Sequence, residues 1–576
     1  MAEKRHITGE NAADRMTYVG EVFTIGERKR KRDILAKLPK EWSALHDGGD
    51  IHIHDLDAWG LTYNCLAVDL REFFPYERFN TLSAEAKTIG LFDFLKEFLT
   101  KLGNEQSGGM AFVNFDIEAA EVLERLGIPF EKINDALLRA AIASFYVWCN
   151  NSHERMGKVS YYVSLNIGLA ETDYGKYICK IILEEFAKTE ATIFKPNIIF
   201  KVKSGINAEK ADGGYSLFQK ALKTTARKMI PTYLLCDAAP NKDIAPFKIA
   251  VMGCRTRVVA DKYQKCGSVG RGNITNVSIN LPRVALEIDK SGIEGSESRA
   301  VRFLEVWDNL AGTVSEILEA RYKALIDERR ADDFRTNLRY NLWCVPFNGD
   351  SLDEVFRHGT LSIGFIGLSE AVEVLTGKKM QKDKKALAVA EQIIKHMRAF
   401  TDKKTDETRF NYSLLATSGE QLSGRFTELD GNRGFTHKAL KKGFYTNSFH
   451  MEVDSGLSAF DKITKEAPFH SYCNGGCISY VELRESPINN AVALEELIAH
   501  AVERGIHYLG FNFDMDICSK CGISGMFDKC PKCGADEITR VRRVSGYLEI
   551  VDYFTSGKKK EVKHRTHNRI EDEEVE

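Results

Sequence analysis

No stretch of this sequence stays apolar for the roughly 18 residues that a membrane-crossing helix needs. None has the apolar centre of a secretory leader either, since Met1-Ala2-Glu3-Lys4-Arg5-His6 opens a polar segment. A membrane protein is not expected, and a cytoplasmic one is. Charge of one sign is also lacking: 80 Lys and Arg stand against 82 Asp and Glu, a formal net charge of −2. That removes the electrostatic case for nucleic acid or an anionic surface as the main partner and favours small-molecule chemistry. No fixed period repeats and no internal segment is of low complexity, so solenoids and tandem arrays are excluded. Thirteen cysteines, an odd number with no leader before them, do not suggest a disulfide framework. They point to reduced thiols, metal ligands or redox chemistry.

What is present is a large, mixed core. With 43% hydrophobic and 28% charged residues the chain reads as globular and ordered nearly throughout. Residues 1 to about 50 are charged and helix-prone, with the basic run Arg28-Lys29-Arg30-Lys31-Arg32, and lead into Ile51-His52-Ile53-His54-Asp55-Leu56-Asp57, an alternation that reads as a strand end. Amphipathic patterns at 89–102, 131–156, 214–229, 299–328 and 382–402 predict helices. Short apolar or alternating runs between them, at 161–167, 197–202 and 277–281, predict strands. Strands alternating with helices indicate an α/β architecture. Lys558-Lys559-Lys560 and Glu571-Asp572-Glu573-Glu574 read as a solvated tail.

The most specific local signal is Cys518-Ser-Lys-Cys521 followed after eight residues by Cys530-Pro-Lys-Cys533, each pair trailed by Gly522 or Gly534. Two such knuckles place four thiolates around a tetrahedral Zn²⁺, and each glycine lets backbone amides turn toward the sulfurs. Four unconnected core cysteines are the bland alternative. A structural zinc contributes about 10–16 kcal/mol to local folding, so a segment poor in apolar residues keeps a fixed shape. Thirteen residues later stands Gly546, in Arg543-Val544-Ser545-Gly546-Tyr547. A glycine there is commonly a turn. It is also where an α-carbon radical would be most stable, because no Cβ opposes coplanarity of the radical with its amide and carbonyl.

Arg543 to Tyr547 resembles the radical loop of glycyl radical enzymes. No Cys-Cys pair of the pyruvate formate-lyase kind exists, and a four-cysteine zinc site ahead of the loop resembles the anaerobic (class III) ribonucleotide reductases. That resemblance implies a ten-stranded α/β barrel with a C-terminal zinc-binding and glycyl radical segment. The expected division is 1–50 as an N-terminal helical extension without an ATP-cone, 51–510 as the barrel, 511–540 as the zinc site and 541–576 as the glycyl radical loop and tail. Control of overall activity by dATP is then not expected.

Val251-Met252-Gly253-Cys254-Arg255-Thr256 resembles the family's Met-Gly-Cys-Arg loop, which implies Cys254 as the thiyl radical, although a lone cysteine is ordinarily a small buried hydrophobe. Residues 51–57 with Leu61-Thr62-Tyr63-Asn64-Cys65 resemble its first barrel strand, with Cys65 as second reactive cysteine and His52 facing the ribose. From the residues alone, His52 and His54 as paired strand residues or metal ligands stay open. Further matches place Asn273 near the ribose and Glu420 as a general base, though Thr417-Ser418-Gly419-Glu420 departs from the family's usual Thr-Pro-Ala-Glu. Cys473 and Cys477 form a CxxxC pair compatible with redox or metal chemistry, with core packing the commoner fate. Cys149, Cys179, Cys236, Cys266 and Cys344 lack partners at ligand spacing and read as structural.

The resemblance implies reduction of ribonucleoside triphosphates for DNA precursor synthesis. An activating enzyme with a [4Fe-4S] cluster and S-adenosylmethionine would generate the radical on Gly546. Met252, Asn273 and Glu420 match the formate-using type; a redoxin-dependent variant is the alternative, and another glycyl radical lyase or dehydratase the more distant one. A homodimer with deoxynucleotide effectors bound at its interface, within 89–156, is also implied. A zinc ribbon that docks on nucleic acid is poorly served by Lys520, Lys529 and Lys532 alone.

Overall fold

The computed structural model describes residues 18–154, 159–160, 162–253 and 255–569. Two helices, Tyr18–Lys37 and Lys40–Gly48, precede the first strand, and Gly49 ends the second in the left-handed region at φ 84°. The strands that matter here are β1 (Ile51–Ile53), β2 (Cys65–Val68), β3 (Met110–Phe112), β4 (Val163–Ile167), β5 (Asn197–Val202), β6 (Thr232–Leu235), β7 (Arg271–Asn280), β8 (Thr360–Ile366), β9 (Asn411–Ala416), β10 (Ser479–Glu482) and β11 (Tyr508–Asn512). Ten of them run in the spatial order β9-β8-β7-β2-β3-β4-β5-β6-β11-β10, with β1 attached to β7. Strands β2 to β6 are parallel to one another, as are β7 to β9 and β10 with β11. The two halves meet antiparallel at β2–β7 and β6–β11.

The end strands β9 and β10 do not pair directly. The turn before β10 bridges them: Ala416 N–H donates to Gly476 O at 3.1 Å and Gly475 N–H to Leu414 O at 2.9 Å. The sheet thus closes into the expected ten-stranded α/β barrel, with helices outside. Along β4, Val163, Leu165 and Ile167 enter the apolar core while Ser164 and Asn166 point the other way, and β8 and β9 repeat this with Ile363, Phe365 and Leu414 against Ser362 and Ser413. Period-two alternation therefore puts apolar residues under the helices and hydrogen-bonding ones in the lumen.

The expected helices appear as Ala84–Leu102, Asp135–Asn150, Tyr215–Lys228, Ser296–Glu328 and Lys384–Glu407. Three expectations change. Residues 51–53 are not the first of the ten strands but an extra strand antiparallel to β7, so Cys65 begins the barrel. The 540/541 boundary falls inside strand Ile538–Arg543, which pairs with both Met515–Cys518 and Leu548–Ile550, so the cysteine cluster and the glycine loop share one sheet. Lys558 is not solvated: it is fully buried in helix Ser556–His564, where Nζ donates to Asn447 Oδ1 at 2.9 Å and Glu561 Oε2 at 2.5 Å. Residues 571–574 lie outside the described ones.

Where β7 ends, Asn280 caps the next helix and Arg283 forms a buried ion pair with Asp430, which also accepts from Tyr445 OH at 2.6 Å. Breaking such a pair strands a buried charge. Arg283→Met should lower unfolding free energy by about 3–5 kcal/mol, measured by urea denaturation; a loss under about 1 kcal/mol would show that the pair is not sealed from water.

Candidate active site

The lumen opens into a partly enclosed cavity of about 100 Å³. Its wall is built from three places distant in sequence. The first is the segment 54–65: Asp55 Oδ2 accepts from Asn64 Nδ2 at 2.8 Å and from Ser107 Oγ at 3.0 Å, and the Cys65 thiol donates to Asn64 Oδ1 at 2.7 Å. Gly108 must be glycine here, since a Cβ would sit 2.7 Å from Cys65 Sγ and from Asn64 O.

The second is a hairpin inside the barrel. Met252 and Thr256 exchange backbone hydrogen bonds at 2.9 and 3.1 Å, and Gly253 takes the turn at φ 56°. Lumen residues hold it: Gly253 N–H donates to Ser164 Oγ at 3.1 Å, Asn197 Nδ2 donates to Gly253 O at 3.0 Å, and Val251 N–H donates to Asn166 Oδ1 at 3.2 Å. Arg255, 1% exposed, turns back to the seam, donating to Ala416 O at 3.1 Å and Thr417 O at 3.2 Å. Met252, Gly253 and Arg255 all line the cavity. Cys254 itself lies outside the described residues.

The third is the loop after strand Ile538–Arg543. Val544 N–H donates to Tyr547 O at 2.9 Å, closing a tight turn around buried Gly546. Arg543, fully buried, spans the turn: Nη1 donates to Gly546 O at 3.1 Å, Nε to Asn512 Oδ1 at 2.6 Å and Nη2 to Met229 O at 2.6 Å. Burial pushes its pKa down, opposed by nearby Tyr480, Tyr508 and Glu482. Glu420 meets the loop from the barrel. Its carboxylate accepts from Ser545 Oγ and, at 3.0 Å, from Tyr547 OH, the two neighbours of Gly546. Glu420 and Tyr547 line the same cavity as Cys65 and Met252, and the Tyr547 ring packs edge-on against Tyr162 at 4.9 Å.

A cavity and a glycine turn do not name a reaction, but relatives do. The family described as "Anaerobic ribonucleoside-triphosphate reductase" matches residues 10–567. The chain belongs to that family. It is accordingly a glycyl radical enzyme that reduces ribonucleoside triphosphates anaerobically. The anaerobic ribonucleoside-triphosphate reductase of Escherichia coli K12 is 28% identical over 92% of this chain and 78% of its own length. That of Enterobacteria phage T4 is 29% identical over 90% of both. The anaerobic ribonucleotide reductase of Thermotoga maritima, solved in complex with dATP and CTP, shares the fold with a TM-score of 0.67 at 15% identity, covering 95% of this chain and 90% of that one.

Within this reductase the expected residues fall unevenly. Cys65, Met252 and Glu420 line the cavity. Asn273, the register partner of Cys65, does not; its amide donates to Ser362 Oγ at 2.8 Å, Thr360 O at 3.0 Å and Thr360 Oγ1 at 3.1 Å. A register shift at Thr360/Leu361 adds a residue to β7, and it is Asn276 that reaches the wall. His52 also stands back, its ring between those of His46 and His54 at 5.1 and 4.8 Å, while His54 lines the cavity and meets Ser278 Oγ at 2.8 Å. Asp55, Asn64, Tyr162 and Thr417 also line it without having been given a role; Asp55, Asn64 and Thr417 stand in segments that carry the resemblance, but nothing in the local pattern marks Tyr162.

Cys518, Cys521, Cys530 and Cys533 converge, with Sγ pairs 518/533 and 521/530 each 3.5 Å apart. Tetrahedral zinc with bonds of about 2.3 Å puts sulfurs about 3.8 Å apart, so the four thiols fit that ion after a small expansion. Cys518 ends the strand that pairs with the one leading into the glycine loop. Cys530→Ser should therefore remove one metal ion per chain, read by elemental mass spectrometry, and speed limited proteolysis within 541–550. Undiminished metal, or unaltered cleavage after its loss, would contradict the link.

Proposed function

We propose that Cys254 is the group that attacks substrate and that Gly546 stores the oxidising equivalent between turnovers. An activating enzyme with a [4Fe-4S] cluster and S-adenosylmethionine removes one hydrogen atom from Gly546. Cys254 then gives its hydrogen to that site and takes the 3′ hydrogen of a bound ribonucleoside triphosphate. Glu420 accepts the 3′-hydroxyl proton as general base, and the 2′-hydroxyl leaves as water. The observation that carries this reading is the Glu420 carboxylate, bonded to both neighbours of Gly546 while lining the cavity that holds Cys65 and Met252.

Replacing the 2′-hydroxyl by hydrogen consumes two electrons, and formate supplies them on oxidation to carbon dioxide, with one proton taken up and one water released. Two features favour formate over a redoxin. The four C-terminal thiols converge as metal ligands, which leaves them unsuited to shuttling electrons, and Cys65 with Met252 stands at the cavity to handle the radical intermediate. His54 and Asn276 position the ribose in the way expected of His52 and Asn273, with Asn273 buttressing the strand behind them.

The Thermotoga protein binds dATP in a specificity site; regulation of this chain by deoxynucleotides, at a homodimer interface, is read onto helices Ala84–Leu102 and Asp135–Asn150. Ile89 and Val147 stand 43% and 52% exposed on them, an apolar surface that a second copy would cover.

In a CTP reduction assay the activated chain should release labelled carbon dioxide from formate, one per dCTP; equal turnover with thioredoxin and no formate would refute the choice of reductant. Glu420→Gln keeps one acceptor oxygen, for either the Ser545 or the Tyr547 hydroxyl, but cannot take a proton. It should lose about 10²–10⁴-fold in kcat while still acquiring the radical. Near-normal kcat would remove Glu420 as the base.

A further inference from the structure

The barrel seam carries a second group of soft ligands. His470 lies near the end of helix Ala459–Tyr472, Cys473 caps that helix, Cys477 precedes β10 and His507 precedes β11. All four are buried, none more than 1% exposed. One ligand atom each from His470, Cys477 and His507 lies within 4.8 Å of the others.

The spacings are those of a coordination shell. His470 Nδ1 and His507 Nδ1 are 3.1 Å apart, and Cys477 Sγ is 3.6 Å from His507 Nδ1. A tetrahedral ion with bonds of about 2.05 Å to nitrogen and about 2.3 Å to sulfur requires N···N about 3.4 Å and N···S about 3.6 Å. Core imidazoles rarely turn the same ring nitrogen toward each other, because one of the pair must then donate.

The far side of His470 is arranged as metal-bound histidines are. Its Nε2 meets Ser479 Oγ at 2.9 Å, and that hydroxyl donates to Glu466 Oε2 at 2.6 Å, a fully buried carboxylate. A carboxylate relayed to the outer nitrogen fixes the tautomer and leaves the Nδ1 lone pair facing His507, whose backbone N–H lies 3.3 Å from it and would be displaced by a bound ion. His507 Nε2 is buried with no hydrogen-bond partner among the described residues, so the ring's polar contacts are those of Nδ1, which faces His470 and Cys477.

We propose that His470, Cys477 and His507, completed by Cys473, bind a second Zn²⁺ at the seam. Cys473, which contacts the Cys477 thiol, would take the fourth position once its side chain turned toward the other three. Two thiolates are needed on charge grounds: Arg255 and Arg257 act on Cys477 electrostatically, and a dication with only one thiolate would add a net positive charge beside them in the interior. Two thiolates and two neutral imidazoles make the set neutral; binding releases both thiol protons.

The ion would tie helix Ala459–Tyr472 and strands β10 and β11 across the one place where the barrel lacks a continuous ladder. It would also brace the catalytic hairpin. Gly476, at φ 122°, packs so tightly on Arg255 that a Cβ would lie 2.0 Å from Arg255 O, and Gly475 O accepts from Arg257 N–H at 3.0 Å.

Metal analysis of the full chain, purified without oxygen, tests this. Two zinc ions per chain are expected, falling to one in Cys477→Ala and to one in Cys530→Ser. One zinc in the wild type, abolished by Cys530→Ser alone, overturns the proposal. If Cys477→Ala does not fold, zinc K-edge absorption on the wild type decides. The average of a four-sulfur shell and a two-sulfur, two-nitrogen shell is three sulfurs and one nitrogen, whereas four sulfurs alone would mean that Cys473 and Cys477 are plain or disulfide-linked thiols.

Discussion

The Glu420 carboxylate links the barrel to the loop that bears Gly546. Glu420, on the loop after β9, accepts from Ser545 and Tyr547, which bracket Gly546. Hydrogen bonds to an ionised acceptor are worth about 1.5–3 kcal/mol each, which adds to the apolar packing of Val544 and Tyr547 with Tyr162 and Phe554 in holding the loop. The rest of the C-terminal architecture sets up that contact. Four converging thiols fix one end of the strand leading to the loop, Arg543 ties the turn to Asn512 and Met229, and helix Ser556–His564 closes behind it, with Thr555 Oγ1 donating to Glu420 O at 2.8 Å.

The barrel meets this loop with a hairpin that would be unstable in water. Backbone groups of Val251 and Gly253 depend on Ser164, Asn166 and Asn197 for their partners. A polar lumen is thus a requirement: buried amides without partners would each cost about 1–3 kcal/mol. The same need explains Arg255, whose guanidinium satisfies carbonyls at the end of β9. Hairpin, seam and glycine loop are therefore mechanically continuous. Displacing the 474–476 turn would be felt at Met252 and, through Thr417 and Glu420, at Gly546.

Much of this was readable from residues, and the misses have physical causes. The cysteine spacing and the glycine loop are local signals, set by coordination geometry and by the absence of a Cβ, and they survive without tertiary information. Helix positions were recovered because amphipathic periodicity persists over several turns. Which of two alternating residues faces a cavity is different. At His52/His54 and Asn273/Asn276 the answer turns on a strand that ends early and on one register shift, and neither leaves a mark in composition. Lys558 was misread because a basic run is usually solvated; here Glu561, three residues on, neutralises it inside the protein. Tyr162, just before β4, could be found only by folding the chain.

The central claim, that Gly546 carries the stored radical in a loop held by Glu420, has a direct spectroscopic test. A glycyl radical has one hydrogen left on its α carbon, so electron paramagnetic resonance of the chain activated without oxygen should give a doublet near the free-electron position. In protein made with glycine deuterated at the α carbon, the doublet should collapse to a single line, and Gly546→Ala should give no signal. A doublet that ignores the isotope, or that survives in Gly546→Ala, would place the radical elsewhere and contradict the account.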